Sequence, residues 1–295
     1  SVGCSPNRPP TRTVNSSAHS PRREAADVSR SAQGGCPASP PTPPKASGEA
    51  RGAAPGKAWG PQDLQIAGLV PMSTVDWPGK FVASLFLQGC PWACPYCHNS
   101  AIIDPRIPGV VAWSSLEELL ARRRGLLDGV VFSGGEATRQ IALASGMARV
   151  RELGFAVGLH TAGPYPGRLA NLLDEGLVDW VGIDLKAMPD HYEAVAGRVG
   201  AGEKAWSSLE ILLAHPDVDH EVRLTVYPDG PRDGLDVARA ARDLGVRCFA
   251  LQQAREVGTP AGFVSTRPGW DDQVRALAED IDNLGFDSFV FRGGS

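Results

Sequence analysis

Short apolar runs alternate with longer stretches of helical period along most of this chain. The runs are Phe81–Gln88, Gly129–Phe132, Ala156–His160, Trp180–Asp184, Glu221–Tyr227 and Cys248–Leu251. Each is apolar almost throughout, the pattern of a parallel strand covered on both faces. Between them the periodicity predicts helices over Ser115–Leu127, Ala137–Leu153, Tyr165–Asp174, Trp206–Ala214 and Gly234–Leu244. A helix over Asp271–Leu284 and a short last strand over Ser288–Phe291 complete the pattern. Strand–helix units with right-handed crossovers build a doubly wound sheet or a barrel. Six units fall short of the eight that close a barrel, so an open, partial barrel also satisfies the pattern. Periodicity does not choose among these, but all place working residues at the carboxyl ends of strands.

Composition divides the chain near residue 60. Residues 1–60 hold eight Lys or Arg against three acids and are dense in Pro, Ser and Ala, whereas the rest is acidic enough to bring the whole to −4. The first segment buries too little apolar surface to offset ordering entropy, so it is expected to be a disordered tail before a folded domain over 61–295. It holds no 7–15-residue apolar stretch, so no secretory signal is expected, and its prolines make a poor amphipathic transit helix. The chain starts at Ser1 rather than Met, and the tail receives no function. No apolar run is long enough to span a membrane. The acidic balance argues against a general nucleic-acid binder.

Of six cysteines, Cys4 and Cys36 fall in the tail and Cys248 stands apart in the apolar stretch "VRCFALQ". Cys90, Cys94 and Cys97 lie together in "LQGCPWACPYCHNS", directly after the first run. A disulfide framework would spread its pairs, whereas clustered thiols without a secretion signal point to a metal in a reducing compartment. Soft thiolates suit zinc or iron–sulfur. A closed zinc site wants four ligands, and His98 is the local candidate for the fourth, although adjacent residues rarely point at one ion. Three ligands on a four-iron cluster leave one iron open for substrate.

Other run ends carry polar residues too. The second is followed by Ser133, Gly134, Gly135 and Glu136, where paired glycines let backbone approach a ligand and the acid suits an ammonium better than a phosphate. His160 and Thr161 close the third, and Asp184 with Lys186 the fourth. The last two lie two apart and face one side, able to pair with each other or to hold a zwitterion. Arg223 and Thr225 belong to the fifth run, and Gln252 and Gln253 follow the sixth. Singly each reads as an ordinary polar residue or turn; together they share one rim with the cysteines.

The C-x3-C-x2-C loop, with Tyr96 before its last cysteine, resembles the signature of the radical S-adenosylmethionine superfamily, and "FSGGEAT" resembles that superfamily's glycine-glycine-glutamate motif. With "GLVPMSTVDWPGK", "GLHTAGPYPGRL", "DWVGIDLKA" and "EVRLTVYP", the chain over about residues 64–292 is similar to the activating proteins of anaerobic ribonucleoside-triphosphate reductase. The resemblance implies a partial (βα)6 barrel in which Cys90, Cys94 and Cys97 ligate three irons of a [4Fe–4S] cluster. The amino and carboxylate groups of S-adenosylmethionine would chelate the fourth. Tyr96 would lie by the adenine, and Gly134, Gly135 and Glu136 would take the methionine amino group. His160, Thr161, Asp184, Lys186 and Arg223 match positions around the cofactor. His160 stands where related activators carry Asp, Ala137 replaces a usual proline, and Gln252 or Gln253 takes the place of a late histidine.

The implied reaction is one-electron cleavage of the sulfonium C–S bond to methionine and a 5′-deoxyadenosyl radical, which removes hydrogen from a glycine Cα in a partner enzyme. The cofactors carry that chemistry, so no side-chain acid or base is assigned. The implied partners are an anaerobic ribonucleotide reductase and a flavodoxin- or ferredoxin-type electron donor in a reducing cytoplasm. A pyruvate formate-lyase-type enzyme comes second, and a small-molecule substrate, as in pterin ring contraction, third. The competing class is a zinc-stabilised α/β binding module without catalysis.

Overall fold

The computed structural model describes residues 58–293. Apart from its last three residues, the tail expected over 1–60, with Cys4 and Cys36, lies outside them.

The alternation seen in sequence becomes a single eight-stranded sheet in chain order. Strand β1 (Ile66–Ser73) pairs antiparallel with β2 (Val82–Leu87). From β2 the sheet is parallel through β3 (Gly129–Gly134), β4 (Ala156–Thr161), β5 (Trp180–Leu185), β6 (Asp219–Val226), β7 (Cys248–Gln253) and β8 (Ser288–Arg292). No ladder joins β8 back to β1, so the barrel is open, which resolves the choice the periodicity left.

Helices α1 (Trp113–Arg122), α2 (Leu143–Glu152), α3 (Pro166–Asp174), α4 (Tyr192–Ala196), α5 (Ala201–Leu213), α6 (Gly234–Asp243) and α7 (Trp270–Asp282) form the connections. Each longer helix turns one apolar stripe onto the sheet, as Leu116, Leu119 and Leu120 do in α1 and Val237, Ala238 and Ala241 in α6. Strands such as β2, with Val82, Ala83, Leu85 and Leu87 all inaccessible, are buried on both faces. At about 1.5–3 kcal/mol per large side chain, this burial holds the sheet together.

The boundaries differ from expectation where side chains redirect the backbone. The helix expected over Ala137–Leu153 starts at Leu143. Before it, Ala137–Arg139 forms a 3-10 turn, and Gln140 spends its amide on Gln65 and Gln88. The helix expected from Trp206 starts at Ala201, after the short α4 that periodicity missed. Strand β1 was missed altogether. Its sequence "IAGLVPMS" carries Gly and Pro, which an edge strand tolerates and an inner one does not.

The barrel's lower interior is plugged from outside the parallel ladder. The turn after β1 inserts Trp77, which stacks on Trp180 of β5 with ring centroids 5.5 Å apart. With Val82 and Val131 they form a small apolar cluster separate from the main core. Gly158 and Gly182 make room for it, since a Cβ on either would lie within 2.9 Å of an indole.

Candidate functional site

Above this plug, at the carboxyl ends of the strands, lies a cavity of about 340 Å³. The loop after β2 brings all three cysteines to it, with Tyr96 beside them. Backbone bonds set that loop: Gly89 and Cys90 amides donate to the Ile102 and Ile103 carbonyls, and the Ala93 amide donates to Ala196. The Cys97 amide donates to the Cys94 carbonyl at 3.2 Å, turning the chain so that both thiols face inward.

Burial governs the thiols. It pushes Cys90 up to about 12 and raises Cys97, each against a smaller lowering by Lys186. Such thiols become thiolates only with a cation among them, which a metal centre provides. His98, the candidate fourth zinc ligand, has Nδ1 2.9 Å from the Val257 carbonyl, so that ring nitrogen donates there.

The glycine pair sits where its lack of side chains matters. Gly134 has φ 111°, and a Cβ there would lie 2.1 Å from the Leu87 amide nitrogen. Gly134 and Gly135 present backbone to the cavity. Glu136 is turned the other way and is buried. Its Oε1 accepts from the Thr138 amide at 3.0 Å, the Thr138 hydroxyl at 2.5 Å and the Thr161 hydroxyl at 2.8 Å. Oε2 accepts from the Ala162 amide at 3.0 Å. Burial raises the Glu136 carboxyl against these bonds. Glu136 is therefore absent from the cavity lining and ties the end of β3 to the end of β4.

His160, Thr161, Asp184, Lys186 and Arg223 all line the cavity. Asp184 and Lys186 form no ion pair with each other; the ammonium instead lies 5.4 Å from the Tyr96 ring centroid. Its charge is held because Tyr96, Cys94 and Asp184 outweigh the cost of burial. Arg223 lies over Trp180 and donates from Nε to Glu221 at 2.7 Å, a carboxylate shared with Arg292. Burial, then the Arg223 charge, lowers His160 to about 4, so the ring is neutral. Its Nε2 lies 2.7 Å from the Asp76 carbonyl and its Nδ1 3.2 Å from Ser133 Oγ. The carbonyl only accepts, whereas Arg223 Nη1, 3.1 Å from the same Nε2, only donates, so Nε2 faces one partner of each kind.

The two glutamines separate. Gln252 lines the cavity and accepts from Thr225 at 3.3 Å, whereas Gln253 donates to Asp271 at 2.8 Å. Cys248 is buried at the start of β7 and lines no part of the cavity. Ser133, at the end of the second run, lines it as well, and so do Asp76 and Asn99, which were not singled out in sequence. Asp76 was hidden by the missed β1, since it lies in the turn that follows that strand. Its carboxylate is raised by burial, but hydrogen bonds from Ser84 and Ser73 outweigh this and leave it lowered.

A second cavity of about 640 Å³ continues from the first toward β8, sharing Asp76, His98, Arg223, Thr225 and Gln252 and adding Arg255 and Arg292. The site therefore has an entrance between the turn after β1 and the ends of β7 and β8.

An open α/β barrel with three clustered thiols, a glycine pair and a cation at one rim defines a class of metal-cluster enzyme. The chain belongs to the radical SAM superfamily, whose match spans residues 84–241. Its cofactors are a [4Fe–4S] cluster and S-adenosylmethionine, and it is a radical SAM enzyme. Among curated relatives, a putative glycyl-radical enzyme activating enzyme of Methanocaldococcus jannaschii is 34% identical over 197 residues, 64% of this chain and 79% of that protein. A pyruvate formate-lyase-activating enzyme of Streptococcus mutans is 31% identical, across 72% of this chain and 89% of that one. The crystal structure of Streptococcus suis SuiB bound to S-adenosylmethionine shares the fold, with a TM-score of 0.53, 12% identity and coverage of 70% and 48%.

Proposed function

We propose that this enzyme activates a glycyl-radical enzyme, with an anaerobic ribonucleoside-triphosphate reductase as the partner. The observation that carries the reading is the convergence of Cys90, Cys94, Cys97, the Gly134–Gly135 backbone and Lys186 on one cavity. The donor set fits the cofactors: three thiols for three irons, exposed glycine backbone for an ammonium, and cations for a carboxylate. Held by Cys90, Cys94 and Cys97 and by the Gly134–Gly135 backbone, the cluster and S-adenosylmethionine would together supply one-electron, hydrogen-abstracting chemistry at this cavity.

The chain's own residues then have distinct tasks. Cys90, Cys94 and Cys97 hold the cluster. Gly134 and Gly135 offer backbone to the methionine amino group, while Glu136 acts through them by fixing the end of β3. Lys186 and Arg223 supply positive charge in the cavity, and Tyr96 contributes an apolar wall for the adenine. Neutral His160 and Thr161 position neighbours through Asp76, Ser133 and Glu136. The Trp77–Trp180 plug closes the cavity's floor to water.

The open side of the barrel suits a protein loop, and one relative is named a putative glycyl-radical enzyme activating enzyme and another a pyruvate formate-lyase-activating enzyme. A pyruvate formate-lyase-type partner is the second reading, because the Streptococcus mutans relative is named for that reaction.

The test is an anaerobic preparation reconstituted with iron and sulfide, given dithionite and S-adenosylmethionine, and assayed for 5′-deoxyadenosine. Adding each candidate partner and recording its electron paramagnetic resonance spectrum then assigns the acceptor. A glycyl doublet on the ribonucleotide reductase alone supports the proposal. A doublet on pyruvate formate-lyase alone transfers it to the second reading, and bound zinc with no product overturns both.

A further inference from the structure

The proposed reaction needs an electron from outside, and the outer surface carries a groove fitted to deliver it. This groove, of about 370 Å³, shares no lining residue with the two cavities of the site. It lies between the start of β1 and the segments that follow β3 and β4. Trp59 and Ile141 expose apolar surface at it, and Tyr165 completes that surface.

Its charge is unusual for this chain. Arg139 and Arg168 both line the groove, and neither has an acidic ion-pair partner among the described residues. Arg168 lies over the Tyr165 ring and donates to the Thr138 and Arg139 carbonyls. The one acid in the lining, Asp63, accepts from the Gly60 amide at 2.9 Å. Two such guanidiniums stand out on a domain whose acids outnumber its bases by nine over residues 61–295.

The groove is also joined rigidly to the cluster ligands. The Gln140 amide donates to the Gln65 and Gln88 carbonyls, and Gln88 stands two residues before Cys90. A Cβ on Gly89 would lie 3.2 Å from Arg139 Nη1, so the space beside the residue that precedes Cys90 is bounded by this guanidinium.

We propose that this groove docks an acidic one-electron carrier protein, with Arg139 and Arg168 taking its carboxylates and bringing its redox group beside the Cys90 loop. The inference rests on the radical reading above and adds the donor's place. Docking here leaves the open side of the barrel clear, so donor and glycyl partner bind together. The transfer moves one electron from the reduced carrier to the oxidised cluster and breaks no bond.

The experiment uses the reconstituted holoenzyme, with reduced flavodoxin as the probe. Calorimetric binding is measured at low and high ionic strength for wild type and for Arg139→Glu/Arg168→Glu. In parallel, 5′-deoxyadenosine formation is driven by flavodoxin or by dithionite. The expected result is binding about tenfold weaker or worse for the variant at low salt, with the difference shrinking at high salt. Flavodoxin-driven product falls by the same factor, while dithionite-driven product and an Arg122→Glu/Arg123→Glu control on α1 stay at wild-type level. Unchanged flavodoxin affinity overturns the proposal, as does equal loss in the dithionite arm. Cross-linking that finds residues 1–57 or a second copy in the groove also overturns it. Failure of wild type with dithionite would instead sink the radical reading, and the binding arm would still decide the docking site.

Discussion

Two levels of the same barrel interior differ by a single step of two residues along each strand. Ser133, His160 and Asp184 face the cavity, and on those strands Val131, Gly158 and Gly182 face or make room for the tryptophan plug. Alternation puts each pair on one face, so a two-residue step separates chemistry from closure. The upper level tolerates polar groups because ligands and neighbouring charges satisfy them. The lower level excludes water with Trp77 and Trp180 and depends on shape. Substitutions at the two levels should therefore fail differently, in activity above and in stability below.

The sharpest test of that division is Cys94→Ala. It should abolish cofactor cleavage and lower the cluster's visible absorbance, while the circular dichroism melting curve stays close to wild type. A collapse of the fold instead would place the loop on the structural side. Next in size is Trp77→Ala, expected to cost about 3–5 kcal/mol in denaturant unfolding by opening a cavity against Trp180. Iron content after reconstitution should survive under native conditions, and its loss would show that the two levels are not separable.

Glu136→Gln crosses the division, since the residue sits at the rim yet points inward. A carboxamide cannot accept at both oxygens, so one buried donor is stranded at a cost of up to about 3 kcal/mol. Unfolding free energy reads this out, and a neutral result would mean that the carboxyl is already protonated. The smallest effect concerns acid. Folded His160 titrates near 4 against about 6.5 for a free imidazole, so between those values the unfolded chain binds more protons. Stability from this group is complete above about 6.5 and should fall by ~2 kcal/mol between pH 7 and pH 5. Glu221, raised by burial but held low overall by Arg223 and Arg292, loses its contribution only at lower pH. His160→Gln should flatten the pH 5–7 slope, and an unchanged slope would assign it to other groups.

Much of this molecule was legible residue by residue. All six apolar runs became strands, and the three clustered cysteines, the glycine pair and the polar strand ends from His160 to Gln252 meet at one cavity. Those features are local. Short apolar runs report burial on both faces, cysteine spacing within eight residues reports convergence, and a glycine after a strand reports close backbone approach. Where a partner lies far along the chain, the local signal ends. Strand β1 reads poorly because an edge strand admits Gly68 and Pro71, and Asp76 and Trp77 were hidden with it. Glu136 reads as a ligand residue until Thr161 and Ala162, 25 and 26 residues away, take its carboxylate. Gln252 and Gln253 are alike in sequence, and only the tertiary structure sends the first to the cysteine cavity while the second, bonded to Asp271, lines just the adjoining one.

The sequence by itself therefore determined the βα ladder, the metal-binding loop and the rim that carries the site, because each rests on periodicity or spacing within a few residues. Tertiary structure alone decided that the barrel stays open, that tryptophans close its floor and that Glu136 faces inward. It also decided that two arginines with no acidic partner among the described residues share one groove. Each of these depends on which distant side chain arrives to satisfy a charge, a hydrogen bond or a volume.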